Sequence, residues 1–184
     1  MIGHLRGIST IAGRQVLVDD VLPRLAGELG PGCYEVQVIG DYKLSEPLRA
    51  ALDHPAVRLR GRIEPSDDEF LRADVVPVPT PIRTRPRVRI LTAFSFACCV
   101  VARSANRLGV QALTHGENAL LDESGRLAAL TIEALRDPEL RDRLGAAGRR
   151  PYESRFTPEK AGARIVEELE RIARPAPDGA AAPR

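Results

Sequence analysis

The sequence predicts an α/β domain, a single doubly wound and mostly parallel sheet flanked by helices. Two observations predict it. Short β-rich apolar runs alternate with longer segments of helical period, the order of strands joined by helical crossovers. The chain has 184 residues, 43% hydrophobic and 28% charged, which is the balance of a globular chain with one core that buries roughly 70% of its unfolded surface.

Each element follows in order. MIGHL, residues 1–5, is the weakest of six strand candidates. From Ile11 to Leu29 the residues Val16, Val18, Val21, Leu22, Leu25 and Leu29 recur near helical spacing, which marks a crossover helix closed by Gly30-Pro31-Gly32. YEVQVIG (Tyr34 to Gly40), VRLRG (Val57 to Gly61), ADVVPVP (Ala73 to Pro79), CCVVA (Cys98 to Ala102) and GVQAL (Gly109 to Leu113) are further strands. Short helices are expected from Ser45 to Leu52, Ser66 to Arg72 and Val88 to Phe96. Ser66 with Glu69 has the spacing of a capping box. After Leu121 the chain turns helical, over Gly125 to Leu135, Pro138 to Gly145 and Pro158 to Ile172, with Thr157 capping the last and Pro158 at its first position. The folded domain is expected over 1–172. Residues 173–184, rich in Ala, Pro and Gly, are expected to be a disordered tail. No internal repeat is visible.

Composition narrows the function classes. No run of about 18 apolar residues occurs, so no membrane span is expected. The first residues lack the basic region, apolar core and cleavage site of a signal peptide, so the cytoplasm is the default. The three cysteines, Cys33, Cys98 and Cys99, form no metal-binding spacing and read as small buried hydrophobes in a reducing compartment. A net charge of +2 gives no reason to expect nucleic acid. Of 27 basic residues only Lys43 and Lys160 are lysine, an arginine excess read as genomic base composition.

In an open parallel sheet, ligands sit beyond the carboxyl ends of the strands, where loops and helix N-termini present backbone amides. The loops to inspect are therefore Gly40-Asp41-Tyr42, Gly61-Arg62-Ile63, the stretch Pro77 to Pro86, Arg103-Ser104 and His115-Gly116-Glu117-Asn118. A glycine straight after a strand lets backbone approach a flat base or a diphosphate; the alternative, that it merely closes a turn, stays open. RTRPRVR, from Arg83 to Arg89, puts four arginines before a helix start, where a diphosphate suits the dipole and a solvated charged face is the plain alternative. Neither a Gly-x-Gly-x-x-Gly nor a Walker-A pattern is present.

With these loops placed, the chain from about Ile2 to Ile172 resembles the C-terminal domain of group-1, family-4 glycosyltransferases. VLPRLAGELGPGCYEVQVIGD is similar to that family's first helix and second strand. VRLRGRIE resembles its V-x-x-x-G-x-V segment, and DDEFLRADVVPVP its short helix leading into a Pro-ended strand. RVRILTAFSFACCVVA resembles K-I-L-E-A-M-A-x-G-x-P-V-V-A, and HGENALL, DPELRDRL and SRFTPEK resemble the tail end. The resemblance implies a Rossmann-like half of a GT-B architecture. It implies a nucleoside-diphosphate sugar as substrate rather than a cofactor, no metal, and an acceptor held by a separate N-terminal domain. Met1 falls at the expected inter-domain boundary, so a separately encoded acceptor-binding partner is expected.

The resemblance also assigns the site. Arg87 is the first choice for the diphosphate and Arg89 the second. Gly61, Arg62 and Ile63 are the base-binding loop. His115, Glu117 and Asn118 resemble a loop near the donor, with a turn joined by side-chain hydrogen bonds as the alternative. The family's E-x7-E pair falls on Thr84 and Thr92, and a Thr hydroxyl cannot supply the bidentate acceptor that a carboxylate offers a ribose diol. Ala97-Cys98-Cys99 stands where Gly-x-Pro is usual. The basic residues of the first loop fall near His4 and Ala12, leaving Arg6 or Arg14 as substitutes. Asp67, Asp68 and Glu69 read as dipole-favoured acids of a first helical turn, without a catalytic role. No catalytic residue is assigned.

Two functions follow: a glycosyltransferase present as its donor-binding half, or a non-catalytic nucleotide-sugar-binding or remnant protein. A nucleotide-sugar epimerase on the same fold lacks candidate catalytic carboxylates.

Overall fold

The computed structural model describes residues 8–40, 46–80 and 88–173. Five strands occur among them: β1 (Val36–Ile39), β2 (Val57–Arg60), β3 (Val75–Val78), β4 (Cys99–Arg103) and β5 (Leu120–Asp122). All pairings are parallel, β1 with β2 and β3 with β4 with β5. Among the described residues no ladder joins β1 to β3, and the strands fall into a two-stranded and a three-stranded sheet. A cavity of about 280 Å³ lies between them, lined by both facing strands and by Leu25, Phe70 and Leu135. The order is the doubly wound 3-2-1-4-5-6 with the place of strand 1 open among the described residues. The sixth strand expected at 1–5 lies outside them.

β4 shows why the fold is layered. Cys99 and Val101 point into one core with Leu17, Val21, Leu25, Leu127 and Leu144. Cys98, Val100 and Ala102 belong to the other, with Phe70, Ile90 and Phe94. A strand covered on both faces reads as a continuous apolar run, which is what CCVVA is.

The first crossover is one helix in three parts: α1 (Ile8–Val16), a π turn (Leu17–Val21) and α2 (Leu22–Leu29). Pro23, in the first turn of α2, has no N–H and would clash with the carbonyl four residues back. The wider turn, closed by Leu22 N–H to Leu17 O, accommodates it. Gly30, with φ of 80°, ends the helix. Then come α3 (Glu46–Leu52), α4 (Asp67–Leu71), α5 (Val88–Ser95), α6 (Leu127–Arg136), α7 (Pro138–Arg155) and α8 (Pro158–Ala173).

Several expectations need correction. Gly109 to Leu113 is not a strand: a 3-10 turn covers Ser104–Leu108, and Val110 and Leu113 enter the core from turns instead. Their alternation reflects burial, and the strand that pairs with β4 is β5. Ser66 makes no side-chain cap: Glu69 N–H donates to the Ser66 carbonyl at 3.1 Å and the Glu69 carboxylate lies 3.4 Å from Arg60, so the capping box does not form. α7 continues past Gly145 to Arg155, since Gly145 and Gly148 are sites of close packing and not helix ends. Asp137 caps it by accepting from Leu140 N–H at 2.9 Å. Cys33 is exposed; only Cys98 and Cys99 are buried. Thr157 does cap α8, accepting from Lys160 N–H at 3.3 Å. Of the tail expected over 173–184, Ala173 is the last residue of α8 and residues 174–184 lie outside the described residues, as does Ser45. No helix among the described residues is long and apolar enough to cross a membrane.

Candidate functional site

The carboxyl edge of the sheets is built from the residues that follow β2, β3, β4 and β5. After β2, Gly61 O accepts from Gly40 N–H at 3.2 Å, so this loop is tied to the end of β1. Gly61 and Arg62 are exposed and Ile63 is half-buried. Arg62 Nη2 is 2.7 Å from Glu64 Oε1, an exposed pair.

After β3, Thr80 is buried and its carbonyl accepts from Asn106 Nδ2 at 3.4 Å. The same amide donates to Arg103 O at 2.8 Å, so Asn106 ties the ends of β3 and β4 together. At the ends of β4 and β5, Arg103 Nη1 meets Asp122 Oδ2 at 3.0 Å. Asp122 Oδ1 also accepts from Ser124 and Arg126 N–H, at 3.0 and 2.7 Å, which orders the entry to α6. Sequence reasoning inspected Arg103 but missed Asp122. The signal was an acid ending the apolar run ALLD.

α5 begins at Val88, so its N-terminus opens on the same edge. Arg89 is half-buried there. Thr92 is half-buried, and its Oγ1 donates to Val88 O at 3.0 Å, within its own helix. Thr84 and Arg87 lie outside the described residues, as do His4, Arg6 and most of the stretch Pro77 to Pro86. Arg14 lies on the buried side of α1, and burial pushes its guanidinium below the usual arginine value.

The turn at His115, Glu117 and Asn118 is elsewhere. It leads directly into Leu120, the start of β5, and so belongs to the amino edge. Asn118 is buried, accepts from Thr114 N–H at 2.9 Å and donates to Ala112 O at 2.7 Å. His115 Nδ1 accepts from Leu121 N–H at 2.9 Å, and Gly116 O accepts from Arg143 of α7 at 2.9 Å. Glu117 is exposed and makes no ion pair among the described residues. The geometry brings Gly61–Ile63, Arg89 and Thr92 to the carboxyl edge and holds this turn at the other. The cavity between β1 and β3 is lined, among the described residues, largely by core side chains, and is distinct from the edge loops. Among the described residues no group of acids, His or Cys could hold a metal ion.

With this geometry in place, comparison with known proteins is informative. The family model of glycosyl transferases group 1 matches residues 1–137. No curated protein matches the chain. Among solved structures, Anabaena Alr3699/HepE in complex with UDP is 21% identical, with a TM-score of 0.73, over 92% of this chain and 48% of that one. Its complex with UDP-glucose matches likewise, at 20% identity and a TM-score of 0.73. A mutant of S. aureus TarM, in complex with fondaparinux, alpha-GlcNAc-glycerol and UDP, is 13% identical with a TM-score of 0.75, over 93% of this chain and 34% of that one. These likenesses give the fold, one half of a GT-B architecture. The chain spans about half the length of the first of them or less. With a family model covering most of its length, the chain belongs to the group 1 glycosyl transferases.

Proposed function

We propose that the chain is the donor-binding half of a glycosyltransferase. It takes a nucleoside-diphosphate sugar at the carboxyl edge of its sheets, and the sugar passes to an acceptor held by a second, acceptor-binding domain. Family membership supports the chemistry, and the UDP complexes of Alr3699/HepE and TarM support the class of donor.

The observation that carries the half-enzyme reading is α8. None of its residues is buried, and Ile165, Val166, Leu169 and Ile172 form an apolar stripe, each more than half exposed. Together they present roughly 400 Å² of apolar surface, within the range of about 300–600 Å² for the largest patch of a typical monomer, which is often functional. A second domain packed on this helix would cover it.

A second reading rests on Thr92. Its hydroxyl is spent on Val88 O, and it stands where a carboxylate contacts the ribose in the family, so a nucleotide-binding protein without transfer activity is the competing outcome.

Calorimetric titration with uridine and guanosine diphosphates, followed by sugar-transfer assays with and without an added acceptor-binding domain, tests both. Weak diphosphate binding and no transfer by the lone chain are expected, because without the facing domain nothing positions an acceptor oxygen against the sugar. Absence of any diphosphate binding sinks the donor assignment. Transfer by the lone chain removes the need for a second domain, and no transfer with one supplied favours the second reading.

A further inference from the structure

The loop after β2 carries a charged pair on the exposed side of the carboxyl edge. Arg62 Nη2 lies 2.7 Å from Glu64 Oε1, and both side chains are exposed. The other exposed pairs at such short range, Arg149–Glu153 and Arg171–Glu168, lie within single helices, where residues three or four apart are neighbours by geometry. Arg62 and Glu64 are two apart, on a loop that is neither helix nor strand.

The backbone under the pair is held in place. Gly40 N–H donates to both Arg60 O and Gly61 O, at 3.3 and 3.2 Å, which ties the end of β1 to the start of the loop. Ile63 is half-buried, while Arg62 and Glu64 on either side of it are exposed. A Cβ at Gly61 would meet nothing within 4 Å, so the backbone there is open to a flat ring. From Gly61 to Ser66 the one carboxylate is Glu64 and the one cation is Arg62.

Nucleobase edges differ in what they ask of such a pair. Guanine offers two adjacent donors, N1–H and the 2-amino group, beside the acceptor O6. An ionised carboxylate has two oxygens and only accepts, and a guanidinium only donates. Two parallel N–H···O bonds to Glu64 and one bond from Arg62 to O6 therefore match that edge group for group. Uracil has a single donor, N3–H, between two carbonyls, so a carboxylate that accepts from it brings its second oxygen against O2 or O4. We propose that Glu64 and Arg62 select guanine, and that the donor is a guanosine-diphosphate sugar rather than a uridine one. The inference rests on the donor reading above and adds the identity of the base. Hydrogen bonds to a charged group are roughly twice as strong as neutral ones. The carbonyl set against the carboxylate supplies the repulsive half of the discrimination.

The test uses the full chain with GDP, UDP, inosine diphosphate and inorganic pyrophosphate as separate probes, read by calorimetry. Inosine lacks the 2-amino group, and pyrophosphate lacks a base. Wild type should bind GDP roughly tenfold more tightly than UDP, the worth of one charge-assisted hydrogen bond, with inosine diphosphate between them. Glu64→Gln keeps the size but replaces one acceptor with a donor. It should bring GDP down to the level of UDP and leave pyrophosphate unchanged. Arg62→Met should weaken GDP by less, since the two bonds to Glu64 remain. Thermal midpoints of both variants should match wild type, which separates lost recognition from lost folding. UDP bound by wild type as tightly as GDP, or a GDP preference that survives Glu64→Gln, overturns the selection and leaves the donor reading standing. Failure of pyrophosphate and of every nucleotide to bind sinks the donor reading and the selection with it.

Discussion

Gly145 of α7 packs directly against the carbonyl of Ala97, with no room for a side-chain carbon between them. The contact joins α7 to the turn between α5 and β4. One turn further on, a Cβ at Gly148 would come within 2.6 Å of the Phe94 ring. The ring belongs to a side chain with some freedom, whereas the Ala97 carbonyl is backbone and cannot step aside cheaply. Gly145→Ala is therefore expected to destabilise by about 3 kcal/mol, lowering the thermal midpoint by roughly 6–12 °C. Gly148→Ala should cost less. Denaturation of both variants checks the order; a Gly145→Ala protein as stable as wild type contradicts the packing.

Ala97 itself has φ of 54°, the left-handed region that favours glycine. Strain there costs a non-glycine residue about 1–2 kcal/mol, offset in part by the greater chain entropy that glycine loses on folding. Ala97→Gly is expected to stabilise by about 0.5–1 kcal/mol. Urea unfolding with an unchanged slope would show this as a higher midpoint, and a lower one would show that the methyl contributes more packing than strain.

Asp122 carries two jobs at the end of β5, pairing with Arg103 and accepting two backbone N–H groups before α6. Asp122→Ala leaves Arg103 largely covered without its counter-charge and both amides without their acceptor, so about 3–5 kcal/mol of stability should go. Asp122→Asn keeps an acceptor for the amides and should lose about half as much. Equal losses in chemical denaturation would mean that charge is irrelevant to this pair.

Burial pushes the Cys98 and Cys99 thiols from the ordinary value of 9.0 up to about 11; for Cys99 the Arg141 cation works against the shift and Cys98 adds to it. A folded-state value above the unfolded one means the folded protein holds these protons longer. Stability from this source is complete below about pH 9 and is lost as pH rises towards 11, at about 1.4 kcal/mol per thiol per pH unit. Urea midpoints measured from pH 8 to 11 should fall, and the double variant Cys98→Ala, Cys99→Ala should flatten the curve. Exposed Cys33 should react with a thiol reagent in the native protein while the other two do not.

Thr92→Glu should restore a carboxylate toward the ribose and strengthen diphosphate binding by about 1.5–3 kcal/mol, one to two powers of ten in affinity. Arg87→Ala should abolish it, if the basic residue before α5 is the main phosphate ligand. Calorimetry on wild type and both variants reads the two effects, and equal affinity across the three places the donor elsewhere.

The sequence by itself determined the fold class, four of the five strands and the order of the helices, because each depends on a local apolar pattern. CCVVA is legible as a strand since two covered faces require apolar residues at every position. The first crossover is legible because Val21, Leu22 and Leu25 return to one face every turn. The alternation of GVQAL could not be told from a strand, since Val110 and Leu113 are buried equally well from turns, and only the pairing of Leu120–Asp122 with β4 decides between them. Gly145 reads as a helix end until Ala97, 48 positions earlier in the chain, is placed against it. The carboxyl-edge loops at Gly61–Ile63 and the start of α5 were found from strand order alone. The amino-edge position of His115–Asn118 was not, because it depends on where β5 begins. Arg14 is one of 25 arginines in the sequence. That it is buried, without a carboxylate partner among the described residues, is not visible from its neighbours in sequence, and neither is the close approach of Gly13 to Thr80, 67 positions apart. Such facts are decided by tertiary structure because burial and charge pairing are properties of neighbours in space, which local periodicity does not specify.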